Sequence, residues 1–293
     1  MASPPVIKLE YNGRLAIITI DNEKKLNALT QNDYYDLAQK LREVATHDEV
    51  YITLLIGKGR YFSAGADVTV VRPTFPTSSS PSAFQGQDSA SPPPAEPSGH
   101  RVFLQNFVAF NLNIAQAFYT HPKILVVGLN GPVVGLSAAL ISLADFIYAA
   151  PHAFLLTPFS SLGLVTEGVA SRALVQRLGL AKANEALIMS KRISCEELAA
   201  TGFVNKVFAE CGRGPGEDEK FRALVLREID ERLGEHLVGE SLLGIKKLIR
   251  QPEREVMDRQ NVAEVFGGLE RFMSGVPQEE FAKIASGKKR HKL

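Results

Sequence analysis

The sequence is poor in the residues that build an oxidised or metal-held framework. Its 293 residues include two cysteines, Cys195 and Cys211, sixteen positions apart with no CxxC or His-rich neighbourhood. That spacing argues against a disulfide scaffold and against a zinc site, and a reducing compartment fits. Charge of one sign is also missing. The 33 basic and 32 acidic residues leave a formal net charge of +1, so the chain as a whole has no attraction for nucleic acid or an anionic membrane. No apolar run reaches bilayer-spanning length, and the opening MASPPVIKLEYNG lacks the basic-plus-apolar pattern of a secretory signal, so a soluble intracellular protein with no membrane span is expected. There is no internal repeat and no sustained heptad. The pair Gly57 and Gly59 lacks the third glycine of a dinucleotide fingerprint.

What is present suffices for one large core and a smaller appendage. Residues 6–10 and 15–20 are β-rich runs around Asn12-Gly13, a hairpin signal. Thr30-Gln31-Asn32-Asp33 reads as a capping box opening a helix, with Tyr34, Leu37, Leu41 and Val44 on its buried face. A further apolar strand covers 51–56. From Arg72 the composition turns to Pro and Ser, and 72–100 is expected to be a mobile loop insertion. Helical spacing returns with Phe103, Phe107, Phe110, Ile114 and Ala117, expected as an ordinary core stripe. Strands are expected over 145–149, 154–156 and 203–208. Beyond the Gly-rich break at 211–216 the pattern is helical: Phe221, Leu224, Val225, Ile229 and Leu233 share one face, and Val262, Val265, Leu269 and Phe272 another. Lys246 and Lys247 read as a solvated face. The expected organisation is a core over 1–210, a helical region over 211–286 whose apolar faces need a partner within the subunit or across an oligomer interface, and a basic tail over 287–293.

Two stretches carry chemistry. ILVVGLNGPVVGLSAAL, residues 124–140, reads as a buried strand, a turn at Asn130-Gly131-Pro132, and a helix start after Gly135. The first N–H groups of such a helix have no internal partner and favour an anion or a polarised carbonyl oxygen, although a plain strand-turn-helix crossover has the same pattern. Glu167 is the one acidic residue between Asp145 and Glu185. It is either a helix N-terminal residue favoured by the dipole or a buried base with a raised pKa. Gly135-Leu136-Ser137-Ala138-Ala139 stops one residue short of the G-x-S-x-G nucleophile elbow. A serine hydrolase is disfavoured because the turn already ends the strand before Ser137 and no His is placed as a triad partner.

Together, Ser63-Ala64-Gly65-Ala66-Asp67, the run from Asn130 to Leu140, Asp145, and Leu162-Gly163-Leu164-Val165-Thr166-Glu167-Gly168 resemble the enoyl-CoA hydratase/isomerase (crotonase) superfamily. Within it the chain is most similar to the fungal peroxisomal Δ3,Δ2-enoyl-CoA isomerases. The resemblance implies an α/β fold, a crotonase-like spiral of ββα turns with a C-terminal helical trimerisation region, and a homotrimer or homohexamer. It implies that the backbone N–H groups of Ala66 and Leu136 form an oxyanion hole for the thioester oxygen of an acyl-CoA. Ala64, Gly65, Ala66, Asp67 and Val68 would line the CoA and acyl path with Leu136, and Lys25, Asn27 and Ala28 would lie near the CoA nucleotide. Glu167 would be the single catalytic carboxylate, carrying a proton from C2 to C4, with Leu162, Leu164 and Val165 supplying apolar surroundings. No metal or redox cofactor is implied, since coenzyme A is part of the substrate. The two glutamates of the hydratases correspond here to Ala139 and Phe159, which disfavours hydration. Dienoyl-CoA isomerases, with an aspartate in the place of Glu167 and a second acid, and non-catalytic acyl-CoA binders are the alternatives. Finally, His291-Lys292-Leu293 resemble the Ser-Lys-Leu class of peroxisomal address, which implies an import receptor as partner and the peroxisomal matrix as location.

Overall fold

The turn after Asn12, with Gly13 at φ 56°, folds β1 (Ile7–Asn12) back on β2 (Leu15–Ile20) in antiparallel register, Ile7 opposite Ile20. In the computed structural model residues 4–67 and 99–290 are described. Val68, most of the expected insertion at 72–100, and the terminal tripeptide at 291–293 lie outside the described residues.

From β2 onward the sheet is parallel. Helix α1 (Gln31–Ala45) carries the chain to β3 (Ile52–Gly57), which pairs with β2. Thr30 caps α1 by accepting from Asp33 N, and Asp33 reciprocates to the Thr30 backbone, so the expected capping box is formed. After the undescribed stretch come α2 (Gly99–Phe103), a π-helical turn (Leu104–Val108) and α3 (Ala109–Tyr119), leading to β4 (Ile124–Leu129) beside β3. Then follow β5 (Val133–Val134), α4 (Gly135–Ile141), β6 (Phe146–Ala149) and β7 (Phe154–Leu156). Helices α5 (Ala170–Leu178) and α6 (Leu180–Leu187) precede β8 (Ile193–Ser194), α7 (Cys195–Ala200) and β9 (Lys206–Val207). The main sheet has the order β1-β2-β3-β4-β6-β9, and β5-β7-β8 form a second, smaller one. The strand expected over 203–208 is shorter, since only β9 pairs with β6.

Every residue of β2, β3 and β4 is buried, because both faces of the sheet are covered. Ile18, Leu55 and Val127 pack in one cluster with α1, α3 and α4, while Leu54, Ile56 and Val126 pack in another with Phe221, Val225 and Ile229 of α8 (Glu217–Leu233). The chain ends in α9 (Gly239–Arg250), α10 (Arg254–Met273) and α11 (Val276–Ala285). Helix α10 builds a third cluster, in which Val265, Leu269 and Phe272 meet Phe103, Phe107 and Val108.

Two expectations for this region are corrected. Val262 is not on the buried face of α10; it is 48% exposed. Lys246 is not solvated. Its Nζ stands 2.6 Å from Asp145 Oδ2 and donates to Lys123 O at 2.6 Å, with Arg250 on the other Asp145 oxygen at 2.8 Å. Asp145 in turn accepts the Leu125 N–H at the start of β4, so one buried carboxylate ties α9 to the sheet. Neighbouring Lys247 is exposed as expected.

Candidate active site

The segment after β3 is held on both flanks by backbone hydrogen bonds. On one side Ala64 N donates to Leu26 O, Leu29 N to Gly65 O and Asp67 N to Leu29 O, each at 2.9 Å. On the other, Val134 N donates to Ser63 O at 2.9 Å. Residues 63–67 are therefore threaded between the turn at 26–29 and the approach to α4. Gly65 and Gly135 face each other there, with φ of 86° and 61°. A Cβ on Gly65 would lie 2.8 Å from Val134 O, so no larger residue fits. The residues that follow these two glycines are Ala66 and Leu136. Leu136 is in the first turn of α4, where no intrahelical acceptor exists for its N–H.

Beneath this junction runs a buried chain of hydroxyls. Ser63 Oγ donates to Asn27 O at 2.8 Å, accepts from Gly65 N at 3.1 Å and is hydrogen-bonded to Ser137 Oγ at 2.9 Å, which is hydrogen-bonded to Tyr34 OH at 2.9 Å. Ser137 is 4% exposed and fully engaged, which leaves no free nucleophile for the hydrolase reading.

Ala66, Leu136 and Glu167 open into one cavity of about 360 Å³. Its floor is the start of α1, from Leu29 to Tyr34, and its far wall is the face of α2, the π turn and α3 that carries Phe103, Phe107, Phe110 and Ile114. The aromatic stripe expected as ordinary core is thus also the cavity wall. The π turn falls within this wall, a geometry common at functional positions. Asn111 on the same helix lines the cavity, donates from Nδ2 to Phe107 O at 3.2 Å and was not singled out from the sequence. A polar residue one turn after Phe107 and next to Phe110 is the signal that would have found it.

Glu167 is half-buried and shares the cavity with Phe107, Phe110 and Leu136. Leu162, Leu164 and Val165, expected to surround it, are not in the cavity lining, and Val165 is 39% exposed. The aromatic part of that lining, Phe103, Phe107 and Phe110, comes from the segment before β4. At the N-terminus of α5, Glu264 from α10 accepts from Val169 N at 2.7 Å and from Ser171 N at 2.8 Å. Burial pushes the Glu264 carboxyl up, against the pull of these bonds.

The other expected site residues divide. Asp67 lines the cavity, and its carboxylate is engaged by Lys25 Nζ at 2.7 Å. Lys25 is half-exposed at the rim, and Ala28 and Ala64 contribute backbone bonds outside the lining. Asn27 is wholly buried, at φ 56°, with Nδ2 donating to Lys58 O and Tyr61 O and Oδ1 accepting from Asn22 N. Its side chain fixes the turn at 26–29. Among the described residues there is no group of three His, Cys, Asp or Glu able to hold a metal, and no helix long and apolar enough to cross a membrane.

Residues 102–212 match the family model described as enoyl-CoA hydratase/isomerase. A Pyricularia oryzae protein named Delta(3,5)-Delta(2,4)-dienoyl-CoA isomerase is 65% identical over 98% of this chain and 99% of its own length. The chain belongs to the enoyl-CoA hydratase/isomerase family. A Saccharomyces cerevisiae protein named 3,2-trans-enoyl-CoA isomerase is 33% identical over 98% of this chain and 96% of its own. Of the two activities in the family's name, this chain is an isomerase, the word that both relatives' names carry. The enoyl-CoA hydratase/isomerase structure from Pseudoalteromonas atlantica superposes with a TM-score of 0.76 over 98% of this chain and all of that one, at 24% identity, and confirms the crotonase fold.

Proposed function

We propose that the chain is a Δ3,Δ2-enoyl-CoA isomerase of fatty-acid β-oxidation, moving the double bond of a 3-enoyl-CoA to C2. One observation carries this reading: the carboxylate of Glu167 lines the same cavity as Ala66 and Leu136, the residues that follow the two facing glycines. Glu167 removes a C2 proton, and the electron pair moves through the carbonyl onto the thioester oxygen as an enolate. The N–H groups of Ala66 and Leu136 stabilise that oxygen; one such donor typically contributes about 2.7–4 kcal/mol. The double bond re-forms between C2 and C3 as the protonated Glu167 returns its proton to C4. C2 and C4 are two bonds apart, within the span of one carboxylate.

The CoA portion of the substrate would follow Lys25 and the segment from Ala64 to Val68. The exposed Ile245, Leu248 and Ile249 of α9 support burial against further copies in a trimer or hexamer. The resemblance of His291-Lys292-Leu293 to a peroxisomal address supports an import receptor as partner and the peroxisomal matrix as location.

The name of the 65% identical relative favours a second reading, isomerisation of a 3,5-dienoyl-CoA to the 2,4-dienoyl ester. There the proton must reach C6, four bonds from C2, and a second acid is required. The test is turnover of trans-3-hexenoyl-CoA and of a 3,5-dienoyl-CoA by the wild type and by Glu167→Gln, followed by absorbance of the conjugated products. Turnover of the 3-enoyl ester with at least a roughly thousandfold loss in the variant is expected. Preference for the dienoyl ester would move the assignment to the second reading, and binding without turnover to a non-catalytic acyl-CoA binder.

A further inference from the structure

Glu264 is 4% exposed and lies on α10, far in sequence from Glu167. Its two oxygens collect donors on both sides of Glu167. Val169 N donates to Oε2 at 2.7 Å, Ser171 N to Oε1 at 2.8 Å, the Ser171 hydroxyl donates to Oε1, and the Thr166 side chain is hydrogen-bonded to it as well. Gln260, one turn earlier on α10, donates to Ser171 Oγ at 2.7 Å.

We propose that Glu264 is a positioning residue for the reaction: from α10 it clamps residues 166–171 and thereby sets where the Glu167 carboxylate stands relative to Leu136. This rests on the reading of Glu167 as the base. The clamped turn is strained, since Val169, a β-branched residue, has φ 62° directly after Gly168 at 70°. A non-glycine residue in the left-handed region is strained and persists where its surroundings over-determine it. The bond from Val169 N to Glu264 supplies that constraint. The turn also has no slack towards the oxyanion side. A Cβ on Gly168 would lie 2.9 Å from Leu136 Cδ1 and 3.0 Å from Ala139 Cβ, so the backbone after Glu167 sits directly on α4. Relaxation of the turn therefore changes the distance between base and oxyanion donors, and misplacement by about 1 Å can cost on the order of a hundredfold in rate.

The chemistry requires a carboxylate. Several N–H and O–H donors converge on two oxygens, which suits an acceptor-only group. In Glu264→Gln one oxygen is replaced by an NH₂ that confronts donors, and the turn loses half of its clamp.

The experiment measures kcat and KM for trans-3-hexenoyl-CoA, and the number of competent sites by calorimetric titration with saturated hexanoyl-CoA, for wild type, Glu264→Gln, Ser171→Ala and Glu167→Gln. The expected result for Glu264→Gln is a kcat per competent site lowered ten- to a hundredfold, with KM within about twofold. Ser171→Ala, which removes a single donor from the clamp and keeps the carboxylate, is expected to lower kcat two- to fivefold, and it carries the test if Glu264→Gln does not fold. A purely structural role would reduce the number of competent sites and leave kcat per site unchanged, and that result would overturn the proposal. If Glu167→Gln keeps the wild-type rate, the base assignment has failed. If Glu167→Gln is inactive while Glu264→Gln keeps kcat per site, the positioning role alone has failed.

Discussion

Gly268 on α10 is pressed against the back of the cavity wall. A Cβ built there would lie 2.7 Å from Phe107 Cζ and 2.9 Å from Cε1, whereas ordinary contact begins at 3.4 Å. Gly268→Ala therefore obliges the Phe107 ring to move by most of an ångström. Phe272 blocks one side, edge-on to Phe107 at 4.7 Å between centroids, and Val265 and Leu269 fill the same cluster. Among the described residues, the open space beside the ring is the 360 Å³ cavity. Overpacking costs about 1–3 kcal/mol, offset by up to about 1 kcal/mol from replacing a helical glycine, so the variant folds with a modest loss of stability.

The functional effect is larger and depends on chain length. A ring displaced into the cavity removes room for one or two methylenes of the acyl chain, each contributing about 0.8 kcal/mol when buried. The ratio of kcat/KM for a long over a short 3-enoyl-CoA should fall about 4- to 15-fold. The assay is a series of 3-enoyl-CoA esters from six to twelve carbons, with calorimetric binding of the saturated esters as a measure independent of turnover. A uniform loss at all lengths, or an unchanged series with a lowered melting temperature, would show that the ring relaxes away from the cavity and would refute the reasoning.

Two further outcomes follow from buried charge. His121 is hydrogen-bonded through Nε2 to Thr53 Oγ1 at 2.7 Å, and burial, aided by nearby Lys246 and Lys123 and opposed by Asp145, pushes its pKa from 6.5 down to about 3. The unfolded chain takes up the proton first, so stability is complete above pH 6.5 and is lost as pH falls towards 3, by on the order of 5 kcal/mol over the full window. Urea titrations from pH 7.5 to 4 should show this slope, and it should flatten in His121→Gln; an equal slope in both proteins would count against it. Lys246→Ala leaves the Asp145 carboxylate buried with Arg250 as its remaining side-chain cation and should cost about 3 kcal/mol by urea unfolding, the low end for breaking a buried pair. A loss below about 0.5 kcal/mol, as for an exposed pair, would contradict its burial.

Local signals in the sequence located most of the elements because their causes are local. The Asn12-Gly13 turn, the Thr30 capping box and the apolar runs of β3 and β4 depend on neighbours a few residues away. The stripe of Phe103, Phe107, Phe110 and Ile114 was legible as a buried face, but periodicity does not say whether a face meets side chains or a cavity. Lys246 read as solvated because the reason for its burial, Asp145, lies about a hundred positions earlier, just before β6. The cavity that Glu167 shares was not legible for the same reason, since its lining comes from the start of α1, the π turn, α3 and α4. Glu264 had a signal that went unused. It stands among Val262, Ala263, Val265 and Phe266, the same pattern of a lone carboxylate in apolar surroundings that drew attention to Glu167.

The last long helix of the chain thus does more for the site than for the sheet. Glu264 clamps the turn that carries Glu167, and Gly268 and Phe272 back the ring of Phe107. The cluster built by Val265, Leu269 and Phe272 is distinct from the two that cover the faces of the sheet, whereas Met257 at the start of α10 and Val169 and Ala170 belong to one of those. Elements with separate cores open separately, and the less buried one opens first. Amide hydrogen exchange of the native protein should therefore show residues 103–112 exchanging together with residues 264–273 of α10, at a lower free energy than the amides of β2, β3 and β4. Saturation with an acyl-CoA should raise the protection of the first group by RT ln(1 + [L]/Kd), about 2.7 kcal/mol at a hundredfold excess over Kd, and leave the sheet unchanged until global unfolding becomes limiting. If those amides exchange as slowly as the sheet in the free protein, site and sheet form one cooperative unit, and α10 cannot be loosened to disturb catalysis without unfolding the whole.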